Sequence, residues 1–246
     1  MSGARASAGR MASLPKRFYE RVEVGKTGEG WCVRLDGKEV CTPAKALLAV
    51  PTEALAQAIA AEWEAQAEHI DPDAMPLTRI ANTAIDGVRG RESEVADEIA
   101  AFAGSDLVCY RADGPEGLAL KQGEHWDPVL DWAEKALDAR FVCASGIVHQ
   151  PQSAEALAAV CAALAGYDAL ALSALHTITT LTGSALLALA HARGCLSAQE
   201  AWAAAHVDED WQVSKWGEDA EAAERRAARW REVEAAARVL ATLADS

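Results

Sequence analysis

Residues 169–193 (ALALSALHTITTLTGSALLALAHAR) contain no Asp, Glu or Lys, and their single Arg is the last residue. Leu170, Leu172, Leu175, Ile178, Leu181, Leu186, Leu187 and Leu189 point in nearly every direction of a helical wheel. A helix that is apolar all round is either buried in a core or spans a membrane. The length suits a span, which takes about 20 residues. The content does not, because His176, four threonines, two serines and Gly183 interrupt it. Their hydroxyls can bond carbonyls of the preceding turn inside a packed bundle. The stretch is therefore read as a buried helix, bent at Gly183 and stopped by Gly194, on which flanking amphipathic helices pack.

The chain ahead of it changes period once. Residues 18–24 alternate, and after the turn GKTGEG Trp31, Val33 and Leu35 fall on one face. Asp36-Gly37 is a hairpin signal, because both central positions of that turn need positive φ. Residues 40–42 return, and 47–50 add a short strand before Pro51. From Thr52, a candidate N-cap, the period is helical, with Leu55, Ile59 and Trp63 at i, i+4, i+8. Leu77, Ile80, Ala81, Ala84, Ile85 and Val88 form the clearest amphipathic pattern, and Val95, Ile99 and Phe102 a second. Residues 107–110 read as extended, 112–123 (ADGPEGLALKQG) as a loop, and 141–150 as either a short strand or an irregular connection. Trp126, Val129, Leu130, Ala133 and Leu137 define one further helix, and Leu157, Val160, Cys161 and Leu164 another.

Ser197-x-x-Glu200 is a capping box that starts a helix running towards Trp216. A last helix over 219–244 is expected to bury Ala223, Ala227, Trp230, Val233, Ala237 and Leu240. The fold class is α+β, a small N-terminal antiparallel β-rich domain followed by a larger C-terminal α-helical bundle. Residues 1–15 are assigned to a flexible tail and 16–51 to the β-rich domain, whose end is open to extension. Residues 52–246 form the helical domain.

Composition narrows the function. A net charge of −14 argues against nucleic acid or an anionic membrane surface as partner. Six scattered cysteines without a CxxC pair read as reduced, mostly buried thiols; Cys32 and Cys41 could face each other across the hairpin, but no spacing argument bridges them. The first residues, basic and free of acids, resemble a fragment of a transit peptide or a plain tail; with no apolar h-region, a cytoplasmic protein is expected. There is no phosphate loop, HExxH or GxSxG motif.

The most pointed cluster is HVDEDWQVSKWGED at 206–219. Asp208, Glu209 and Asp210 are consecutive, so on a helix they fan apart and cannot all grip one ion, although Asp208 and Trp211 share a face. His206 with Asp210, at i, i+4, is a metal reading; a solvated acidic face is the plainer one. Trp211 and Trp216 beside the acids suit a recognition surface, and each also suits a core.

RFYERVEV, LDGKEVCTPAKALLAVPTEALAQAIAAEWEAQ, IDPDAMPLTRIANTAID, DLVCYRA, WDPVLDWA, LTGSALLALA and DEDWQVSKWG occur in this order and cover nearly the whole chain after about residue 15. As an ordered set they resemble the assembly-chaperone family for the alpha subunit of the F-type ATP synthase catalytic head (mitochondrial assembly factor 2 and its bacterial relatives). The resemblance implies a non-enzymatic chaperone that holds new alpha subunit until it assembles with beta. It implies no cofactor, metal, nucleotide, nucleic acid or membrane insertion. The family's functionally important acid maps onto Glu209, with Asp208, Asp210, Trp211 and Trp216 as neighbouring partner-binding candidates. Trp63, in the EWxxQ motif, has a structural role. Eukaryotic members carry a mitochondrial targeting segment; the short start here departs from that and fits a bacterial-type member. A holding chaperone needs an exposed apolar patch rimmed by charge, and competition by beta suffices for release. The alternatives are a carboxylate- or metal-dependent hydrolase built on residues 208–210, which requires those acids to converge in a pocket, and a scaffold that stays bound.

Overall fold

The structure, a computed structural model, describes residues 14–146 and 149–244. The expected tail, apart from residues 14 and 15, lies outside the described residues, as does most of the transit-like segment. The chain divides into two compact units, one formed by residues up to Gly87 together with the chain's end from Thr242, the other by Val88–Ala241.

In the first unit, β1 (Val22–Thr27) pairs antiparallel with β2 (Gly30–Leu35), Val22 opposite Leu35 and Thr27 opposite Gly30. Strand β2 also pairs with β3 (Lys38–Glu39) and β4 (Ala49–Val50). Asp36 and Gly37 have φ of 49° and 80°, the geometry the Asp-Gly signal requires. The Asp36 carboxylate accepts the Arg21 amide at 2.9 Å and the Glu20 amide at 3.2 Å. These donors, Arg21 foremost, hold its pKa below the ordinary value.

Helix α1 (Glu53–Glu64) is capped by the Thr52 hydroxyl, which accepts the Leu55 amide at 3.2 Å, and it lays buried Leu55 and Ile59 on β1 and β2. Helix α2 (Pro76–Thr83) follows and continues as a π-helical turn, Ala84–Val88. Because these helices belong to the same unit as the sheet, the change of period at Thr52 marks a change of element rather than of unit.

The EWEAQ segment joins the two helices. Met75 has no side chain to cap α2, so the Glu62 carboxylate does it, accepting Leu77 N at 2.7 Å, Thr78 N at 2.8 Å and the Thr78 hydroxyl at 2.7 Å. Burial pushes the Glu62 carboxyl up, and the three donors oppose it. Gln66 accepts the Asp71 amide at 2.7 Å, and the Trp63 carbonyl accepts the Tyr19 hydroxyl at 2.7 Å.

In the second unit the elements are α3 (Glu92–Phe102), β5 (Tyr110–Arg111), α4 (Glu116–Leu137), β6 (Ala144–Ser145) and α5 (Ala154–Leu164), then α6 (Ala169–Thr182), α7 (Ala185–Ala192), α8 (Ala198–Ala205), α9 (Val207–Trp216) and, up to Ala241, α10 (Ala220–Ala244). Strands β5 and β6 pair in parallel, Tyr110 opposite Ala144. Helices α6 and α7 are the centre: Leu172, Leu175, Ile178, Leu186, Leu187 and Leu189 are fully buried, with α3, α4 and α8 packed around them. The hydroxyls of Thr177 and Thr182 donate to the carbonyls of Ser173 and Ile178, the bonding expected of a polar group inside a bundle.

The expected bend at Gly183 is a full break. Gly183 takes a left-handed φ of 73° and ends α6, and the Ser184 hydroxyl caps α7 by accepting Leu187 N at 3.0 Å. Fully buried Asp106 adds a second cap, accepting Leu186 N at 3.1 Å.

Other departures have local causes. Residues 107–110 form a 3₁₀ turn, Leu107–Cys109, ahead of β5, because the Asp106 carboxylate caps it through Val108 N at 3.3 Å. The loop expected over 112–123 is helical from Glu116. Pro115 precedes the first turn, and Gly117 serves close packing, since a Cβ there would lie 2.7 Å from the Trp211 ring. The helix expected to run from Ser197 to Trp216 is interrupted at His206. In α10, Val233, Ala237 and Leu240 are buried, but Ala223 and Trp230 are only half-buried and Ala227 is exposed. All six thiols are free, and Cys41, Cys143 and Cys195 are exposed rather than buried. No described helix is long and apolar enough to cross a membrane.

Candidate partner-binding cleft

The capping box forms as read: Ser197 N donates to the Glu200 carboxylate at 2.7 Å and Glu200 N to the Ser197 hydroxyl at 3.1 Å. Helix α8 then ends at buried His206, whose Nδ1 lies 2.8 Å from the Trp202 carbonyl and whose ring lies 3.8 Å from the Trp202 ring. Burial holds the His206 pKa below its ordinary value, so the ring is neutral at pH 7, with Nδ1–H donating and a free lone pair on Nε2.

Three successive acids on α9 go three ways, as a 100° step per residue dictates. Asp208 turns to α4, accepting from Gln122 Nε2 at 2.7 Å; Gln122 Oε1 in turn accepts the Ala112 amide at 2.8 Å. Asp210 pairs with Arg226 of α10, which raises the Arg226 pKa. Glu209 lies 3.8 Å from His206 Nε2, and its charge also contributes to raising the Arg226 pKa, after the larger effect of Asp210.

The two tryptophans also separate. Trp211 sits over Gly117 of α4, with Lys215 Nζ 4.5 Å above its ring, so it fixes α9 to the bundle. Trp216 is 88% exposed, and Val213, one turn before it, 40%. Gly217, at φ 83°, turns the chain, and the Asp219 carboxylate caps α10 by accepting Ala222 N at 2.8 Å.

Between α9 and the first turns of α10 this leaves an open cleft of about 400 Å³. One wall carries Glu209, Gln212, Val213 and Trp216; the other carries Ala222, Ala223, Arg225, Arg226 and Arg229; Glu218 and Asp219 close one end. Of the five residues singled out in the sequence, Glu209 and Trp216 line the cleft, Asp210 braces it through Arg226, and Asp208 and Trp211 face α4. The sequence reading missed Val213 and the α10 arginines. Val213 stands one helical turn from both Glu209 and Trp216, a stripe visible beforehand. The arginines become wall residues only because Gly217 folds α10 back.

The acids that a hydrolase would need to converge do not converge, and His206 and Asp210 are held by different neighbours. Among the described residues no three His, Cys, Asp or Glu side chains are grouped to hold a metal ion. The cleft presents exposed apolar side chains, Val213 and Trp216, among charged ones.

The sequence model for the ATP12 chaperone protein matches residues 16–134. The chain is 22% identical over 214 residues to the mitochondrial protein atp12 of Schizosaccharomyces pombe, covering 82% of this chain and 74% of that one. Its structure aligns with the crystal structure of the Atu1473 protein of Agrobacterium tumefaciens at TM-score 0.89 and 51% identity, covering 94% and 87% of the two chains. It aligns with Atp12 of Paracoccus denitrificans at TM-score 0.85 and 42% identity, covering 93% and 98%.

Proposed function

This chain belongs to the ATP12 chaperone protein family, and from that premise we propose that it holds the unassembled alpha subunit of the F-type ATP synthase catalytic head until alpha pairs with beta. The observation that carries this reading is the α9–α10 cleft, where Trp216 and Val213 stand exposed beside Glu209 on one wall. Exposed apolar groups rimmed by charge, with an aromatic anchor, are the composition of an interface core waiting for its partner. Glu209 contacts a basic or amide-rich site on alpha, and Trp216 packs beside it. Release needs no nucleotide, because beta competes for the alpha surface this protein covers.

Refolding denatured alpha with and without the chaperone, with beta and an unrelated client as controls, tests the reading. Soluble alpha recovered as a complex, without rescue of the controls, is the expected result; failure to recover alpha would remove the assignment. Glu209→Lys is expected to cost about 2–5 kcal/mol of alpha binding if the contact is buried in the complex. Because Glu209 is exposed in the free protein, the same substitution should leave thermal unfolding unchanged.

A further inference from the structure

We propose that Cys109 and Cys143 are a site of reversible thiol oxidation, closing to a disulfide when a low-molecular-weight disulfide reacts with the exposed member. The proposal is independent of the partner-holding reading, since no residue of the α9–α10 cleft takes part.

The two cysteines are distant in sequence and meet through the parallel ribbon. Strands β5 and β6 pair Tyr110 with Ala144 and Arg111 with Ser145, so Cys109 and Cys143 come next along the same register. Neighbouring strands lie about 4.8 Å apart, and a disulfide needs Cα atoms about 4.4–6.8 Å apart. Both flanks are held. The Cys109 amide donates to the Asp106 carbonyl at 3.0 Å, closing the 3₁₀ turn. Ahead of Cys143, the Gln152 side chain accepts the Val142 amide at 2.8 Å and donates to the Val142 carbonyl at 2.9 Å. The Cys143 charge is felt at Cys109, where burial first, then Asp106, then Cys143 raise the thiol pKa and Arg111 opposes them. The hairpin cysteines show the contrast. Cys32 lies opposite Gly25 and Ala49, and Cys41 opposite Leu47, so those two are not register partners.

Exposure decides which thiol reacts first, because Cys143 is exposed and Cys109 is buried. The Cys143 thiolate attacks one sulfur of the small disulfide RSSR, forming a mixed disulfide and releasing RS⁻, which takes up the Cys143 proton. The Cys109 thiolate then attacks the Cys143 sulfur and expels the second RS⁻, to which the Cys109 proton passes. Two protein thiols are oxidised by two electrons, and one RSSR is reduced to two RSH. Burial holds the Cys109 pKa above its ordinary 9.0, so few molecules carry the attacking thiolate and closure is the slower step. The new bond encloses all of α4, the helix on which Asp208 and Trp211 of α9 rest.

The test treats the full chain with oxidised glutathione and maps disulfides by mass spectrometry after proteolysis. The expected product is an internal bond joining the Cys109 and Cys143 peptides, with one oxidised glutathione consumed and two reduced ones released. Glutathione added to exposed Cys41 and Cys195 does not enter that readout. The bonded form should melt ~5 °C or more above the reduced form, a rise that dithiothreitol abolishes. Conversion of the mixed disulfide on Cys143 to the internal bond should speed up ~10-fold from pH 7 to pH 8, as more Cys109 ionises. Cys143→Ser, a change at an exposed position, should fold as wild type, form no internal bond and show no rise in melting. A mixed disulfide on Cys143 that never closes overturns the proposal. So does an internal bond that joins other cysteines, or one that still forms in Cys143→Ser.

Discussion

The pairs α6–α7 and α9–α10 are built by the same local rules and end in opposite places. In each, a glycine with positive φ stops one helix (Gly183 at 73°, Gly217 at 83°), and a side chain just beyond it caps the next, Ser184 in one and Asp219 in the other. Next to Gly183, Thr182 and Ser184 are buried, as is α7 from Ala185 to Ala190, and a carboxylate from outside the pair, Asp106, reaches in to complete the cap. Around Gly217 nothing is covered, and the apolar residues Val213 and Trp216 face solvent. A helix break with its caps therefore sets direction only. What separates core from surface is the charge on the flanking turns, none over 169–192 and dense over 208–232.

The largest effect that would break this comparison lies at Asp106. Asp106→Ala strips acceptors from the Leu186 and Val108 amides in a site closed to water, and should cost about 2–3 kcal/mol in urea unfolding at pH 7. Burial pushes the Asp106 carboxyl up to about 6 from an ordinary 3.8, with the Ser184 hydroxyl and the α7 amides opposing the rise. The folded state thus holds this proton more tightly than the unfolded chain. Its contribution is complete below about pH 4 and is lost as pH rises through 6, a change of about 3 kcal/mol. Asp106→Asn removes that titration. The stability difference between wild type and Asp106→Asn should therefore shift against wild type between pH 4 and 6; a difference flat with pH would show the carboxyl to be unperturbed.

A smaller effect separates the two glycines. Gly183→Ala puts a Cβ 3.9 Å from that of Leu107, ordinary contact, so the cost is backbone strain alone, about 1–2 kcal/mol of global stability. Gly217 pairs its positive φ with ψ of 170°, a conformation reserved for glycine, at a local cost of about 1–3 kcal/mol. Because the α9–α10 turn is exposed, Gly217→Ala should loosen that turn without moving the global transition. Hydrogen exchange would show new opening in residues 213–223 only. An equal drop in global stability for both variants would place the turn in the cooperative core.

The same contrast explains what the sequence disclosed. Signals carried by a side chain on its own backbone were legible: Thr52, the Asp36-Gly37 turn and the Ser197/Glu200 box each form as read, and the all-round apolar stretch is buried as expected, although as two helices rather than one bent helix. Features that depend on a distant partner were not. Gly117 and Gly123 read as loop because the packing of Trp211 on Gly117, which makes a glycine useful in α4, comes from residues far along the chain. Ala223 and Ala227 read as core, but alanine is small enough for either side, and the start of α10 stands away from the bundle. Within 206–219 the fan of the three acids follows from helix geometry. What Asp208 and Asp210 meet depended on Gln122 and Arg226, neither adjacent in sequence.

Trp216 gives the smallest stability effect and the sharpest reading of the comparison. Its ring is 88% exposed, so Trp216→Ala removes almost no buried area and should leave the melting temperature within about 1 °C of wild type. A tryptophan held in the core, such as Trp126, whose Nε1 donates to the Ala204 carbonyl at 2.7 Å, should instead cost about 3–5 kcal/mol on truncation to Ala. If Trp216 anchors the partner, truncation should cut alpha capture by at least ~10-fold, since interface hot spots cost 2 kcal/mol or more. Trp216→Phe should restore much of that capture, because the ring rather than the indole N–H supplies the contact. Unchanged capture by Trp216→Ala would move the anchor elsewhere on the protein. Loss of capture together with a lowered melting temperature would mean that this turn belongs to the core after all.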